Sequence, residues 1–280
     1  MAGSKPFFRR KLLPGFGLSL GITLFYLSAV VLIPLSMLFV KSFDLSAAAY
    51  WQIISSDRVL AAFRVSFMSA GISAVINAVF GFLIAWVQIR YQYPGRRIVD
   101  AMIDLPFALP TSVAGISLTA AFSVTGILGF WLDKIGVRVA YTSLGIIVAM
   151  TFVGLPFVIR TLEPVMQQLG KDYEEAGTIL GGNRWQVFTR VIFPLLLPAT
   201  MTGAAMAFAR ALGEYGSVIF IAGNMPYKTE IVPLLIISKL EQFDYSAATA
   251  IAVTMLGLSF LVLLMINVLQ GWQRRRVTSL

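Results

Sequence analysis

Long apolar runs without a charged residue recur along the whole chain and dominate its pattern. A helix needs about 20 apolar residues to cross a bilayer core of about 30 Å. Six runs come close to this length or exceed it: Phe16–Val40, Val65–Ile89, Leu105–Leu132, Val139–Ile159, Val191–Ala209 and Tyr245–Trp272. The third run contains Gly126 and Gly129, so we expect its tail to form a loop or a surface helix. The pattern predicts an all-α, polytopic membrane protein with about six transmembrane helices.

The basic residues fall unevenly on the polar segments between these runs. If both termini lie in the cytoplasm, most of the 22 Lys and Arg residues fall on the cytoplasmic side. Cytoplasmic segments of membrane proteins carry such an excess of positive charge. We therefore predict a multi-pass protein with an even number of spans and both termini cytoplasmic.

Composition supports this prediction and excludes several kinds of chemistry. Only 12% of the residues are charged and the mean hydropathy is +0.83, whereas a soluble domain carries about 25% charged residues. The chain has no Cys and no His, which removes disulfides, thiol nucleophiles and Cys/His metal sites. We predict neither catalytic residues nor a metal site. The net charge of +9 lies mostly in short segments between apolar runs, which favours contact with membrane lipid over nucleic-acid binding.

The segment Lys171–Pro198 differs from a simple connection between two spans. Asp172 followed by Glu175 resembles a capping box that opens a helix, and Gly181-Gly182 would end that helix near Leu180. Asn183 and Gln186 then predict the start of a second short helix through Val191. Pro194 and Pro198 would fall at the start of the next span. The segment is thus predicted to be a compact helix–turn–helix wedge. The alternative interpretation is an ordinary amphipathic helix at the membrane interface.

The same segment carries a recognisable sequence pattern. Glu175-Ala176-Gly177, Gly181, Val191 and Pro194 resemble the E-A-A-x3-G-x9-I-x-L-P signature of ATP-binding-cassette importer permeases. Gly177 and Phe193 depart from it, because the family usually has Ala and Leu at these positions. The resemblance implies a type I importer permease fold and a loop that couples to a partner ATPase. Its matching residues are Glu174, Glu175, Ala176, Gly177, Gly181, Arg184 and Pro194.

A wider resemblance covers nearly the whole chain. The runs Arg90–Arg97, Asp104–Gly115, Ala209–Asn224 and Glu241–Ala248 are similar to the T-type permease subunit of sulfate/thiosulfate importers. Molybdate permeases are the nearest alternative, because they share the L-G-E-[FY]-G run and also carry a tetrahedral dianion.

This resemblance implies a location, a division of the chain and a set of partners. The location would be the bacterial inner (plasma) membrane. Residues 1–59 would hold the N-terminal tail, the first transmembrane helix and an external loop, residues 60–266 the permease core, and residues 267–280 a basic cytoplasmic tail. The partners would be a W-type permease subunit, two copies of an ATPase and a periplasmic sulfate/thiosulfate-binding protein. ATP and Mg would bind to the ATPase, and this chain would hold no cofactor.

Two pairs of polar residues are candidates for the translocation path or its gate. The fifth span is expected to continue past its apolar run into Gly216–Ala222. Arg210 and Glu214 stand four apart on one face of this span, where they can pair. Intramembrane charges are costly and usually face a cavity or the bundle interior. They could guide an anion, or they could form a structural ion pair or a gate. Thr111 and Ser112 follow two prolines and could line the path, although packing against another helix is favoured.

Two other classes of function compete with that of a permease subunit. The chain has no G-x4-G-K-[ST] run, so any ATP hydrolysis would belong to a partner. A membrane enzyme would need clustered reactive side chains, and Asp100 with Asp104 is the only suggestive acidic pair. A secondary transporter that works without ATP would not need the wedge.

Overall fold

The computed structural model describes residues 16–170 and 172–277, and this part of the chain is helical without strands. The basic N-terminal residues, Lys171 and the last three residues lie outside the described part. The helices are α1 Phe16–Ser42, α2 Ala47–Ile54, α3 Asp57–Arg90, α4 Arg96–Ile103, α5 Leu105–Ala108, α6 Thr111–Phe122, α7 Gly129–Lys134, α8 Ser143–Gln168, α9 Asp172–Ile179, α10 Arg184–Leu212, α11 Val218–Ile221, α12 Val232–Glu241 and α13 Tyr245–Val277.

Within the described residues, five helices are long and apolar enough to cross a membrane: α1, α3, α8, α10 and α13. They correspond to five of the six predicted spans. The predicted third span is shorter, because Leu109 takes an extended conformation before Pro110 and the 12-residue helix α6 starts only at Thr111. After Phe122 the chain turns and forms α7, so the tail of this run is a separate short helix, as its glycines predicted.

The centre of the molecule is a bundle of α3, α8 and α10. Small residues let these helices approach closely. A Cβ atom on Gly81 of α3 would lie 2.8 Å from Val158 of α8, and a Cβ atom on Gly203 of α10 would lie 2.8 Å from the Val158 backbone. The apolar core divides into two clusters, one around Ile146 and Phe208 and the other around Phe82, Val158 and Leu162.

Two helices lie outside this bundle. Helix α1 has no buried residue and packs against α13. Helix α13 also packs on α12 and α10, and Asp244 caps its start by accepting a hydrogen bond from the Ala247 amide at 3.1 Å. This bond and the ammonium of Lys239 hold the pKa of the Asp244 carboxyl below its ordinary value.

A bidentate ion pair fixes the start of α3 to the segment before α12. The Arg58 guanidinium donates to both carboxylate oxygens of Glu230 at 2.7 and 2.8 Å, and Glu230 is buried. Paired geometry of this kind gives the strongest ion pairs in proteins. It therefore holds this end of the bundle in one arrangement.

Candidate functional site

The predicted wedge is a helical hairpin of residues 172–187, formed by α9 and the first turn of α10. Helix α9 ends in a Schellman arrangement: the Gly182 amide donates to the Gly177 carbonyl at 3.0 Å, and the Gly181 amide donates to the Thr178 carbonyl at 2.9 Å. Gly181 has a φ of 84°, in the left-handed region that residues with a Cβ atom rarely adopt. The turn therefore depends on glycine at this position.

The second arm of the helical hairpin starts with the predicted capping box. The Gln186 amide donates to the Asn183 side chain at 2.8 Å, and the Asn183 amide donates to the Gln186 side chain at 3.0 Å. The structure differs from the prediction in one respect, because this arm does not stop near Val191. It continues through a π-helical turn, Phe188–Ile192, into the membrane helix that ends at Leu212. The wider turn precedes Pro194, which has no amide hydrogen to donate.

One contact holds the two arms of the helical hairpin together, and a second contact fixes the hairpin to the bundle. A Cβ atom on Gly177 would lie 2.9 Å from Cγ2 of buried Val187, so glycine allows the two arms to touch where the family usually has Ala. The Arg90 guanidinium at the end of α3 lies 2.9 Å from the Glu174 carboxylate and also donates to the Leu169 carbonyl at 3.1 Å. The helical hairpin is thus connected through Arg90 to α3 and continues directly into α10.

The tip of the helical hairpin exposes apolar side chains. Ile179 is 85% exposed, Leu180 88% and Trp185 72%, next to the exposed side chains of Glu175 and Arg184. Exposed apolar groups with a polar rim mark protein interaction sites. The geometry therefore suits the insertion of a short helix into a groove on another protein.

Arg210 and Glu214 form the ion pair that their spacing predicted. Arg210 Nη1 lies 2.6 Å from Glu214 Oε2, and the exposed fractions of the two side chains are 33% and 1%. Glu214 does not lie on the same helix as Arg210, because α10 ends at Leu212. Its other oxygen accepts hydrogen bonds from the amide and the hydroxyl of Ser217, both at 2.8 Å. The buried carboxylate is thus neutralised and fully bonded.

Thr111 and Ser112 lie against the segment that follows Glu214. A Cβ atom on Gly216 would collide with the Thr111 hydroxyl and lie 3.3 Å from the Ser112 amide. The fold therefore brings the start of α6 to the loop that holds Glu214. Thr111 is partly buried in this contact, whereas Ser112 is exposed.

A second charged cluster joins segments that the sequence did not connect. Arg160 of α8 donates to Asp104 at 2.6 and 2.9 Å, to Asp100 at 2.8 Å and to Glu163 at 2.7 Å. The two aspartates considered as a possible enzymatic pair are therefore ion-pair partners of one guanidinium. The pattern of separate apolar runs gave no sign of this contact, because Arg160 lies 56 residues from Asp104.

The fold is that of importer permeases of the ATP-binding-cassette class. A bacterial ABC transporter involved in import of the acidic polysaccharide alginate matches with a TM-score of 0.74, 16% identity and coverage of 93% of this chain and 96% of that chain. A structure of the bacterial alginate ABC transporter in complex with a pentasaccharide-bound periplasmic protein matches with a TM-score of 0.76, 18% identity and coverage of 94% of both chains. At such identities the likeness concerns the fold alone.

Sequence comparison defines the family. Residues 77–279 match the family described as "Binding-protein-dependent transport system inner membrane component". The "Sulfate transport system permease protein CysT" of Escherichia coli strain K12 is 50% identical over 270 residues, which cover 96% of this chain and 98% of the relative. The protein of the same name from Synechocystis sp. is 47% identical over 254 residues, which cover 91% of this chain and 89% of the relative.

The chain belongs to the family of binding-protein-dependent transport system inner membrane components. It is accordingly a multi-pass membrane component of a transport system, not a membrane enzyme. The resemblance inferred from the sequence is confirmed, and so is the importer permease fold.

Proposed function

We propose that this chain is the membrane-spanning permease of an ATP-driven sulfate importer. The substrate assignment is supported by the sulfate permeases that match along nearly their full length. The observation that carries the coupling mechanism is the helical hairpin with its exposed tip. Thiosulfate is a second expected substrate, because it is also a tetrahedral dianion, in which a sulfur atom replaces one of the sulfate oxygens.

The helical hairpin is the docking element for the partner ATPase in this proposal. Leu180 and Trp185 would enter a groove on the ATPase, and Glu175 and Arg184 would lie at its polar edge. The Schellman turn, the capping box and the Arg90–Glu174 ion pair make the element rigid. A rigid docking element transmits a displacement of the ATPase to α3 and α10, whereas a flexible loop would absorb it.

The complete transporter would contain chains that supply the remaining functions. Two ATPase copies would bind ATP and Mg and carry out hydrolysis, and a W-type permease would complete the membrane part. A periplasmic binding protein would deliver sulfate, in line with the binding-protein-dependent family. The excess of basic residues on the side of the helical hairpin favours a cytoplasmic position for the hairpin and both termini.

Arg210 and Glu214 have a structural or gating role in this proposal rather than that of a free anion site. The guanidinium is already neutralised at 2.6 Å, and Ser217 holds the carboxylate from its other side. Thr111 and Ser112 pack on the same loop. Movement of this loop would change both contacts together, as a gate requires.

The coupling role is tested by a pair of glycine substitutions with similar backbone strain. Gly181→Ala places a Cβ atom at a φ of 84° in the helical hairpin, and Gly136→Ala does so at 78° in a turn after α7. Neither Cβ atom would meet another atom within 4 Å, so each change costs about 1–2 kcal/mol through strain alone. We expect Gly181→Ala to reduce co-purification of the ATPase with the permease about tenfold, and Gly136→Ala to leave it unchanged. Equal co-purification of the ATPase with both variants would contradict docking through the helical hairpin.

A further inference from the structure

Arg64 lines a groove at the end of α3 that lies opposite the helical hairpin. Arg90, at the other end of α3, contacts the hairpin itself. The groove has a volume of about 470 Å³ and lies between the first turns of α3 and α8, with Tyr227 from the segment before α12. Arg64 is exposed there. The groove is therefore at the opposite end of α3 from the proposed contact with the ATPase, and neither Arg210 nor Glu214 lines it.

Arg64 differs from most of its basic neighbours because no carboxylate neutralises it. Among the residues that the structure describes, no hydrogen bond or ion pair involves its guanidinium. Most other cations at this end have an acidic or aromatic partner: Lys41 pairs with Asp44, Arg58 with Glu230, Arg138 with Asp133, Lys239 with Asp244, and Lys134 lies over Phe130 and Trp131. The positive charge of Arg64 therefore remains available to a ligand.

The remaining polar groups of the groove suit an oxyanion. Ser69 and Tyr227 contribute hydroxyls, whereas the Ser143 hydroxyl already donates to the Lys228 carbonyl at 3.4 Å. None of the groove-lining residues is acidic. A hydroxyl can donate to an anion, and a guanidinium presents several donors in one plane. Tyr227 is held at a φ of 66°, an uncommon conformation for a residue with a side chain. A tetrahedral dianion would find positive charge and donors here without a competing carboxylate.

We propose that Arg64, with the hydroxyls of Ser69 and Tyr227, forms an oxyanion subsite through which the transported anion enters the membrane part. This inference rests on the proposed function, because the ligand is the sulfate that the transporter carries. A single cation and two hydroxyls bind weakly enough to release the anion onward. The phosphate of a lipid headgroup is also an oxyanion and could bind at the same subsite. The test must therefore distinguish lipid phosphate from transported sulfate.

The test uses the complete transporter in proteoliposomes, with its partner permease, ATPase and binding protein. Labelled sulfate moved per ATP hydrolysed is measured for the unaltered protein, Arg64→Gln, Arg64→Lys and Arg138→Gln. Arg138 is a matched control, because it is also exposed and carries the same charge at the same end but is paired with Asp133. Each measurement is repeated in neutral vesicles and in vesicles with anionic lipid.

We expect Arg64→Gln to lower sulfate moved per ATP about tenfold in both kinds of vesicle, which is the loss of one favourable charged contact. The ratio for Arg64→Lys should lie between those of Arg64→Gln and the unaltered protein. The ratio for Arg138→Gln should equal that of the unaltered protein. An unchanged ratio for Arg64→Gln, or a defect that appears only with anionic lipid, would overturn the inference. If the unaltered transporter moves no sulfate, the proposed function itself is wrong.

Discussion

At the scale of single residues, the surroundings of Arg210 and Glu214 favour a structural role for this ion pair over direct contact with the transported anion. Glu214 is 1% exposed and bonded on both oxygens. Removing one partner of a buried pair leaves a charge without compensation, which usually costs several kcal/mol. Replacing both partners removes this cost.

We expect Arg210→Gln to lower the thermal unfolding temperature of the purified protein, and Arg210→Gln with Glu214→Gln to restore most of it. Sulfate uptake and stimulated ATPase activity should recover together with stability in the double variant, because the pair is structural or part of a gate. A double variant that is stable but moves no sulfate would instead assign Arg210 to the anion path.

Single residues also show which parts of the site a sequence can predict. The capping box of Asn183 and Gln186 was predictable, because its partners are three residues apart and their geometry is local. The close contact of Gly177 with Val187 was not predictable, because it depends on how the two arms of the helical hairpin pack. The end of α10 at Leu212 was also missed, and Glu214 therefore lies in a loop rather than on a helix.

At the scale of helices, Arg160 connects α8 to the segment that leads into α6. It bonds Asp100 on α4, Asp104 between α4 and α5, and Glu163 on its own helix. Three carboxylates around one guanidinium depend on that cation to offset their mutual repulsion. The Arg160 cluster thus fixes the position of α4 and α5 against α8. Pro110 separates these short helices from α6.

We expect Arg160→Gln to lower the stability of the purified protein by about 2 kcal/mol, because it leaves the largely buried carboxylate of Glu163 and two half-exposed aspartates without their cation. Arg97→Gln is the control, since Arg97 is an exposed arginine on neighbouring α4 and such changes usually alter stability by less than about 0.5 kcal/mol. Thermal unfolding in detergent gives both values. Equal unfolding temperatures for the two variants would show that the Arg160 cluster contributes nothing to the fold.

Helices were easier to predict than the contacts between them. Five spans follow from length and hydropathy alone. The third run is long enough to span but contains Pro106 and Pro110, and the backbone breaks at Leu109. A sequence shows that a proline can end a helix, but the packing of α6 on α8 and α11 decides where it does.

At the scale of the whole molecule, the proposed permease would move sulfate when a partner hydrolyses ATP. The bundle of α3, α8 and α10 connects the exposed helical hairpin at one end to the Arg64 groove at the other. ATP-driven motion at one end can therefore reach an anion at the other through packed helices.

Sulfate uptake by the reconstituted transporter tests this account most directly. Labelled sulfate should enter proteoliposomes only when the binding protein, the ATPase and ATP are all present, and unlabelled thiosulfate should compete with it better than molybdate does. Sulfate movement by this chain alone down an ion gradient, or uptake that does not depend on ATP, would contradict the account.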